Sequence, residues 1–193
     1  MTSDTPAAPT PATATDAAAN SFTGVDIEEI AREKGWLAAS ESADQDSHAL
    51  LQAWFARAAE LLGPQASDRE MLASLLGLVF RFDAAAALRE RENQAVLVRE
   101  GAREVIREMA NRVLEGGEID SDRFKEIVES MKQAIPYRSR AMFRPIRLAL
   151  VGRAGEGELD RVILLLDAAA RLPFATPVKG TRQRILEFCA ALD

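Results

Sequence analysis

The chain has 193 residues, 48% of them apolar and 28% charged, enough for one soluble domain or two small ones with a real buried core. Its formal charge of −6, from 24 basic and 30 acidic residues, argues against indiscriminate polyanion binding. No apolar run approaches the roughly 18 residues of a membrane span, and no basic segment precedes an apolar one at the N-terminus, so no membrane partner and a cytoplasmic protein are expected.

Residues 1–20 are Ala, Thr and Pro with almost no large apolar side chain, a composition that cannot offset its ordering entropy by burial, and they are expected to form a disordered tail. Helical spacing begins near Phe22. Asp26 with Glu29 reads as the start of a first helix, with Ile27, Ile30 and Ala31 inward and Gly35 as the stop. A second helix runs from about Ser47 to Leu62, where Gly63 and Pro64 end it. Ser67 and Glu70 open a third, whose Met71, Leu72, Leu75, Leu76, Val79 and Phe80 make a broad apolar stripe. It either runs on or breaks near Asp83, before the Ala84 to Ala87 run.

The segment from about Asn93 to Leu114 reads as one long helix burying Val98, Ala102, Val105, Ile106, Met109 and Val113. Its outer face alternates Arg99, Glu100, Arg103, Glu104, Arg107 and Glu108, which suits a solvated surface with pairs from Glu100 to Arg103 and from Glu104 to Arg107. Asp120 caps the next helix, and Pro136 breaks it. Pro145 fits the first turn of a short helix stopping at Gly152. Two more helices follow, from Glu158 to Leu172 and from Thr181 onward. No alternating strand and no repeat period are found, so the expected fold is an all-α array of about eight helices, divided into an N-terminal helical subdomain at 21–92 and a C-terminal one at 93–193.

The inventory of reactive side chains is thin. Cys189 and His48 are the only cysteine and histidine, which excludes an internal disulfide, a cysteine-based zinc site and a histidine-rich metal centre. No cofactor is expected. Gly152, Gly155 and Gly157 cluster without the strand that a phosphate-binding loop needs, and a plain helix-to-helix turn explains them. His48 suits a surface or capping position, and no catalytic residue is identified.

Charge is unevenly distributed. Residues 131–193 hold 11 Lys or Arg against 6 Asp or Glu, about +5, leaving about −11 for residues 1–130. Five arginines, Arg138, Arg140, Arg144, Arg147 and Arg153, fall within 16 residues and interleave with Tyr137 and Phe143. Guanidinium forks bind phosphates, and planar side chains stack on unpaired bases, so this segment is the candidate RNA-binding surface. A solvated arginine surface is the plainer alternative.

The stretch FRPIRLALVGRAGEGELDRVILLL, residues 143–166, resembles the C-terminal anticodon-binding region of bacterial, class I glutamyl-tRNA synthetases. That family's signature reads roughly F-x-P-[LI]-R-x-A-L-T-G, then a short turn with G-P-x-L, then a helix. Phe143, Pro145, Ile146, Arg147, Ala149, Leu150, Gly152 and Leu159 match it. The likeness extends over the helices from Asn93 to Gln133 and loosely over residues 45–92. It implies an all-helical module reading anticodon bases, with base-contacting roles for Arg147 and for the turn Gly157, Glu158, Leu159 and Asp160. The chain departs from the signature at Val151 and at Gly157, has Leu165, Leu166, Asp167, Ala168 and Ala169 in place of an L-L-G-K-E ending, and carries an extra tail from Arg171. Neither catalytic motif of those synthetases occurs in it. The expectation is a stand-alone, non-catalytic tRNA-binding relative, alone or with a protein partner such as a synthetase. The competing expectation is a protein-interaction module that kept the helices and lost the RNA site.

Overall fold

The computed structural model describes residues 22–37 and 45–192; the expected tail at 1–20 lies outside the described residues. Among those residues the chain forms ten α-helices and no strand. They are α1 (Gly24–Glu33), α2 (Gln45–Leu62), α3 (Arg69–Phe80), α4 (Ala84–Arg89), α5 (Arg91–Leu97), α6 (Ala102–Glu115), α7 (Ser121–Ala134), α8 (Ser139–Val151), α9 (Glu158–Ala169) and α10 (Thr181–Leu192). The all-α expectation holds.

Where helix ends differ from expectation, short-range hydrogen bonds decide. Thr23, not Asp26, caps α1, and Asp26 is the reciprocal partner three residues on, its carboxylate accepting from the Thr23 N–H at 2.7 Å. These bonds hold the Asp26 carboxyl below its ordinary value. Asp68, not Ser67, caps α3 through the Met71 N–H at 2.8 Å. The expected long helix over 93–114 is two, because Gly101 takes φ +80° between α5 and α6. A Cβ at Gly101 would stand 2.0 Å from the Tyr137 ring, so glycine is required there for space as well as for conformation. The break also rotates Val98 outward: it is 82% exposed, where a continuous helix would have buried it. The expected pairs on the outer face of α6 do not form. Arg103 donates instead to the Leu192 carbonyl, and Glu104 accepts from the Tyr137 hydroxyl at 3.1 Å.

The buried residues from Ile27 to Phe188 form one connected core. α9 packs against α2, α3 and α8, and buries Leu159, Val162, Ile163, Leu165, Leu166 and Ala169. Beside it Trp36 stacks on Phe80 at 4.4 Å, and Phe174 meets Phe80 and Trp54 edge-on. The Trp54 indole N–H donates to the Leu165 carbonyl at 3.2 Å, so this buried donor is satisfied. No helix among the described residues is long and apolar enough to cross a membrane.

The tail helix α10 packs on α4, α6 and α8. Its Arg184 is fully buried. The guanidinium donates to the carbonyls of Leu78 and Val79 in the last turn of α3, to that of Leu150 in the last turn of α8, and to that of Lys179. It lies over the Phe82 ring at 4.8 Å. One cation thus closes the negative ends of two helices. Burial pushes its pKa down to about 9, which leaves it charged at neutral pH.

Arg184→Ala strips donors from four carbonyls and opens a cavity, and is expected to cost about 3–5 kcal/mol in urea unfolding. Arg184→Lys should recover only part, since an ammonium cannot span the same carbonyls. The folded-state pKa lies below the usual one, so below about pH 9 folded and unfolded chains both hold this proton. The loss in Arg184→Ala is therefore expected to be equal at pH 6 and pH 8.

Candidate functional site

The arginine-rich segment forms α8, which begins at Ser139 rather than at Pro145. Pro145 sits inside the helix, and Ala141, whose carbonyl loses its N–H partner there, is exposed to water. The earlier start places Phe143 and Arg147, four apart, on one side, and Arg140 and Arg144 on another.

Arg147 does not stand free. It is 6% exposed, and its Nε and Nη2 each donate to one oxygen of Asp160 at 2.7 Å. Nη1 donates to the Gly155 carbonyl at 3.0 Å, and the guanidinium lies over the Phe143 ring at 5.3 Å. A bidentate pair of this kind holds α8 to the first turn of α9. The sequence expected Arg147 to contact a base; in the structure its Nε, Nη1 and Nη2 all donate within the protein. Asp160 is occupied by the same pair, and Leu159, 2% exposed, is core rather than a contact residue.

The other expected contacts divide. Arg138 is exposed and donates to the carbonyls of Lys132, Ile135 and Tyr137, closing the end of α7. Arg144 pairs with Glu156 at 2.8 Å and is partly covered. Arg140 reaches the same carboxylate at 3.5 Å, yet 72% of its side chain is exposed. The hydrogen bond from Arg144, with Arg140 and Arg147 nearby, holds the Glu156 carboxyl below the usual range. Arg153 is exposed and carries no ion pair among the described residues. Gly157 is exposed at the start of α9, while the Glu158 carboxylate accepts from the Glu156 N–H.

A cleft of about 420 Å³ opens between α7, α8 and α9. Phe124, Val128, Phe143 and Leu164 give its apolar lining, and Lys125, Arg161, Ser121, Glu129 and Asp160 its polar groups. It unites Phe143, Gly157 and Asp160 from the expected set. Arg161 is exposed with no ion pair among the described residues, and Lys125 is 75% exposed with only the surface carboxylate of Asp122 beside it. Lys125 and Arg161 were not singled out by the sequence. Phe124 and Val128 mark the inward edge of α7, but nothing in the spacing shows that α7 lies along α9.

The structure is thus an all-helical protein with a mixed-charge, partly aromatic cleft. Over 132 residues the chain is 26% identical to glutamate–tRNA ligase 2 of Syntrophus aciditrophicus (strain SB), a match covering 65% of this chain and 25% of the ligase. The chain spans about a quarter of that relative's length. No family model matches, and neither does any solved structure.

Arg147→Ala leaves a partly buried carboxylate and the Gly155 carbonyl without their donors, and is expected to lower stability by about 2–4 kcal/mol. A double-mutant cycle with Asp160→Asn should return a coupling of at least about 1 kcal/mol in chemical denaturation.

Proposed function

We propose that this chain is a non-catalytic relative of the glutamyl-tRNA synthetase anticodon-binding region that binds RNA, tRNA foremost, in the cytoplasm. The observation that carries the reading is the α7–α9 cleft, where the half-buried Phe143 and the accessible cations Lys125 and Arg161 meet. Arg140, 72% exposed, lies outside the cleft lining beside Glu156 and adds a further accessible cation. The similarity to a tRNA ligase supports the same direction. Apolar and aromatic walls accept unstacked bases while the cations meet phosphates. The cationic contacts are therefore assigned to Lys125, Arg140 and Arg161 in place of Arg138, Arg144 and Arg147, with Arg153 on the far side of the turn.

A second reading has its own observation. Arg138 and Arg147 donate to carbonyls and a carboxylate of the protein itself, which favours a protein-interaction module, with a synthetase as one partner, that retained the helices without the RNA site. Ribonuclease separates the two: an RNA-bridged association is lost on treatment and a direct one survives.

Three phosphate contacts predict that affinity for tRNA falls roughly twenty-fold between 50 and 200 mM salt, measured by filter binding. Lys125→Glu with Arg161→Glu should abolish most of that dependence without loss of thermal stability, because both side chains are exposed. Absence of binding to total tRNA at low salt would overturn the RNA reading and leave the second.

A further inference from the structure

We infer that the exposed side of α2 pairs with a second copy of this chain, the two helices running antiparallel about a two-fold axis. The inference is independent of the RNA reading. α2 turns its buried residues toward α1, α3 and α9. Its other side carries Asp46, Leu50, Ala53 and Arg57, four, three and four residues apart, which is the spacing of a seam between two paired helices. Leu50 is 60% exposed, Asp46 and Ala53 are exposed, and Arg57 is half-buried. A single exposed leucine is ordinary on a protein surface. This one borders a groove of about 430 Å³ between α2 and the end of α9, walled by Trp54, Ala168 and Leu172. An apolar knob and a hollow to receive it therefore share one face, as an interface between identical surfaces requires.

Charge sets the direction. Asp46 and Arg57 bracket the apolar pair, one at each end of the strip. A parallel partner would set Asp46 against Asp46 and Arg57 against Arg57. An antiparallel partner sets Asp46 opposite the second copy's Arg57 at both ends, and in the same register Leu50 opposite the second copy's Ala53, at the mouth of the groove. Asp46 has no ion pair among the described residues. Arg57 pairs along its own helix with Glu60 at 2.9 Å, with side chains 42% and 67% exposed, and a surface pair of that kind yields readily to a second carboxylate. From Asp46 to Arg57 the strip is about 16 Å long, so the contact belongs with small, reversible interfaces.

The test is sedimentation velocity on the full chain, treated with ribonuclease so that RNA cannot bridge two copies, from about 5 to 500 μM, a range suited to weak interfaces. The average mass should rise from one chain toward two. Leu50→Asp, at an exposed position, should weaken association about ten-fold or more with an unchanged melting temperature. Asp46→Arg and Arg57→Asp, each placing like charges at both ends, should each do the same. Mixed in equal amounts, these two variants should associate at least as well as the unmodified chain, because opposite charges then meet at both ends. Arg57 also donates to the Ser121 hydroxyl, so if Arg57→Asp fails to fold, Leu50→Asp and Asp46→Arg decide. A mass of one chain throughout the range overturns the inference. So does a dimer indifferent to Leu50→Asp, or a mixture of folded charge variants that associates no better than either alone. Filter binding of tRNA to Leu50→Asp should match the unmodified chain, so failure here and failure of the RNA reading are read separately.

Discussion

A buried guanidinium is tolerated only where the fold supplies its acceptors, and Arg184 places that constraint on much of the C-terminal half. Its acceptors are main-chain carbonyls from α3, α8 and the segment before α10, so the three must meet at one point for the charge to be satisfied. The same interaction fixes the end of α8, where Gly152 turns the chain with φ +81° toward α9. Asn93 secures the far side of that turn, donating to the Gly152 carbonyl and accepting from the Ala154 N–H. With the turn held at both ends, Arg147 is brought against Asp160, and the wall of the α7–α9 cleft follows from that pairing.

The departures from the synthetase-like signature and the extra tail belong together physically. Asp167 accepts from the Thr181 N–H at 2.6 Å and from the Thr181 hydroxyl, while its other oxygen holds the Ile119 N–H at 2.7 Å. Gly180 lies so close that an added Cβ would approach Asp167 Oδ1 to 2.8 Å. An aspartate in α9 therefore fastens the first residue of α10 and the residue before the Asp120 cap. A glycine at 167 could do neither. Lys179 and Glu187 add a second fastening: Glu187 pairs with Lys179 at 2.5 Å and accepts from the Ala84 N–H. α10 is consequently an integral helix of the core, and it contributes nothing to the lining of the α7–α9 cleft.

Much of the fold was legible because its signals are local. Asp120 caps α7 through the Asp122 and Arg123 N–H groups, Gly152 ends α8, and the apolar periods of α3, α7 and α9 map onto buried faces. Signals failed where a distant residue decides. The Tyr137 ring, thirty-six positions away, leaves no room for a side chain at Gly101, where the break falls, and Val98 before it is exposed. Pro145 within α8 defies its usual place because the preceding turn can lose one hydrogen bond at an exposed carbonyl. In the candidate site, Phe143 was singled out by the sequence and lines the cleft. Lys125 and Arg161 were not, since their meeting depends on how α7 and α9 lie against each other.

The arginine count shows why composition alone misjudges a basic segment. Arg138 is drawn to helix-end carbonyls and Arg147 to a carboxylate one turn into α9, and neither partner is visible as a charge balance along the sequence. Arg140 and Arg144 differ from these because they share Glu156 at the surface, where water screens the pair. Arg147 has no such exchange available: withdrawing it would strand Asp160 and the Gly155 carbonyl in partial burial. The accessible positive charge of this surface therefore lies with the exposed cations around the cleft, and the buried arginine holds Phe143 and Asp160 in place.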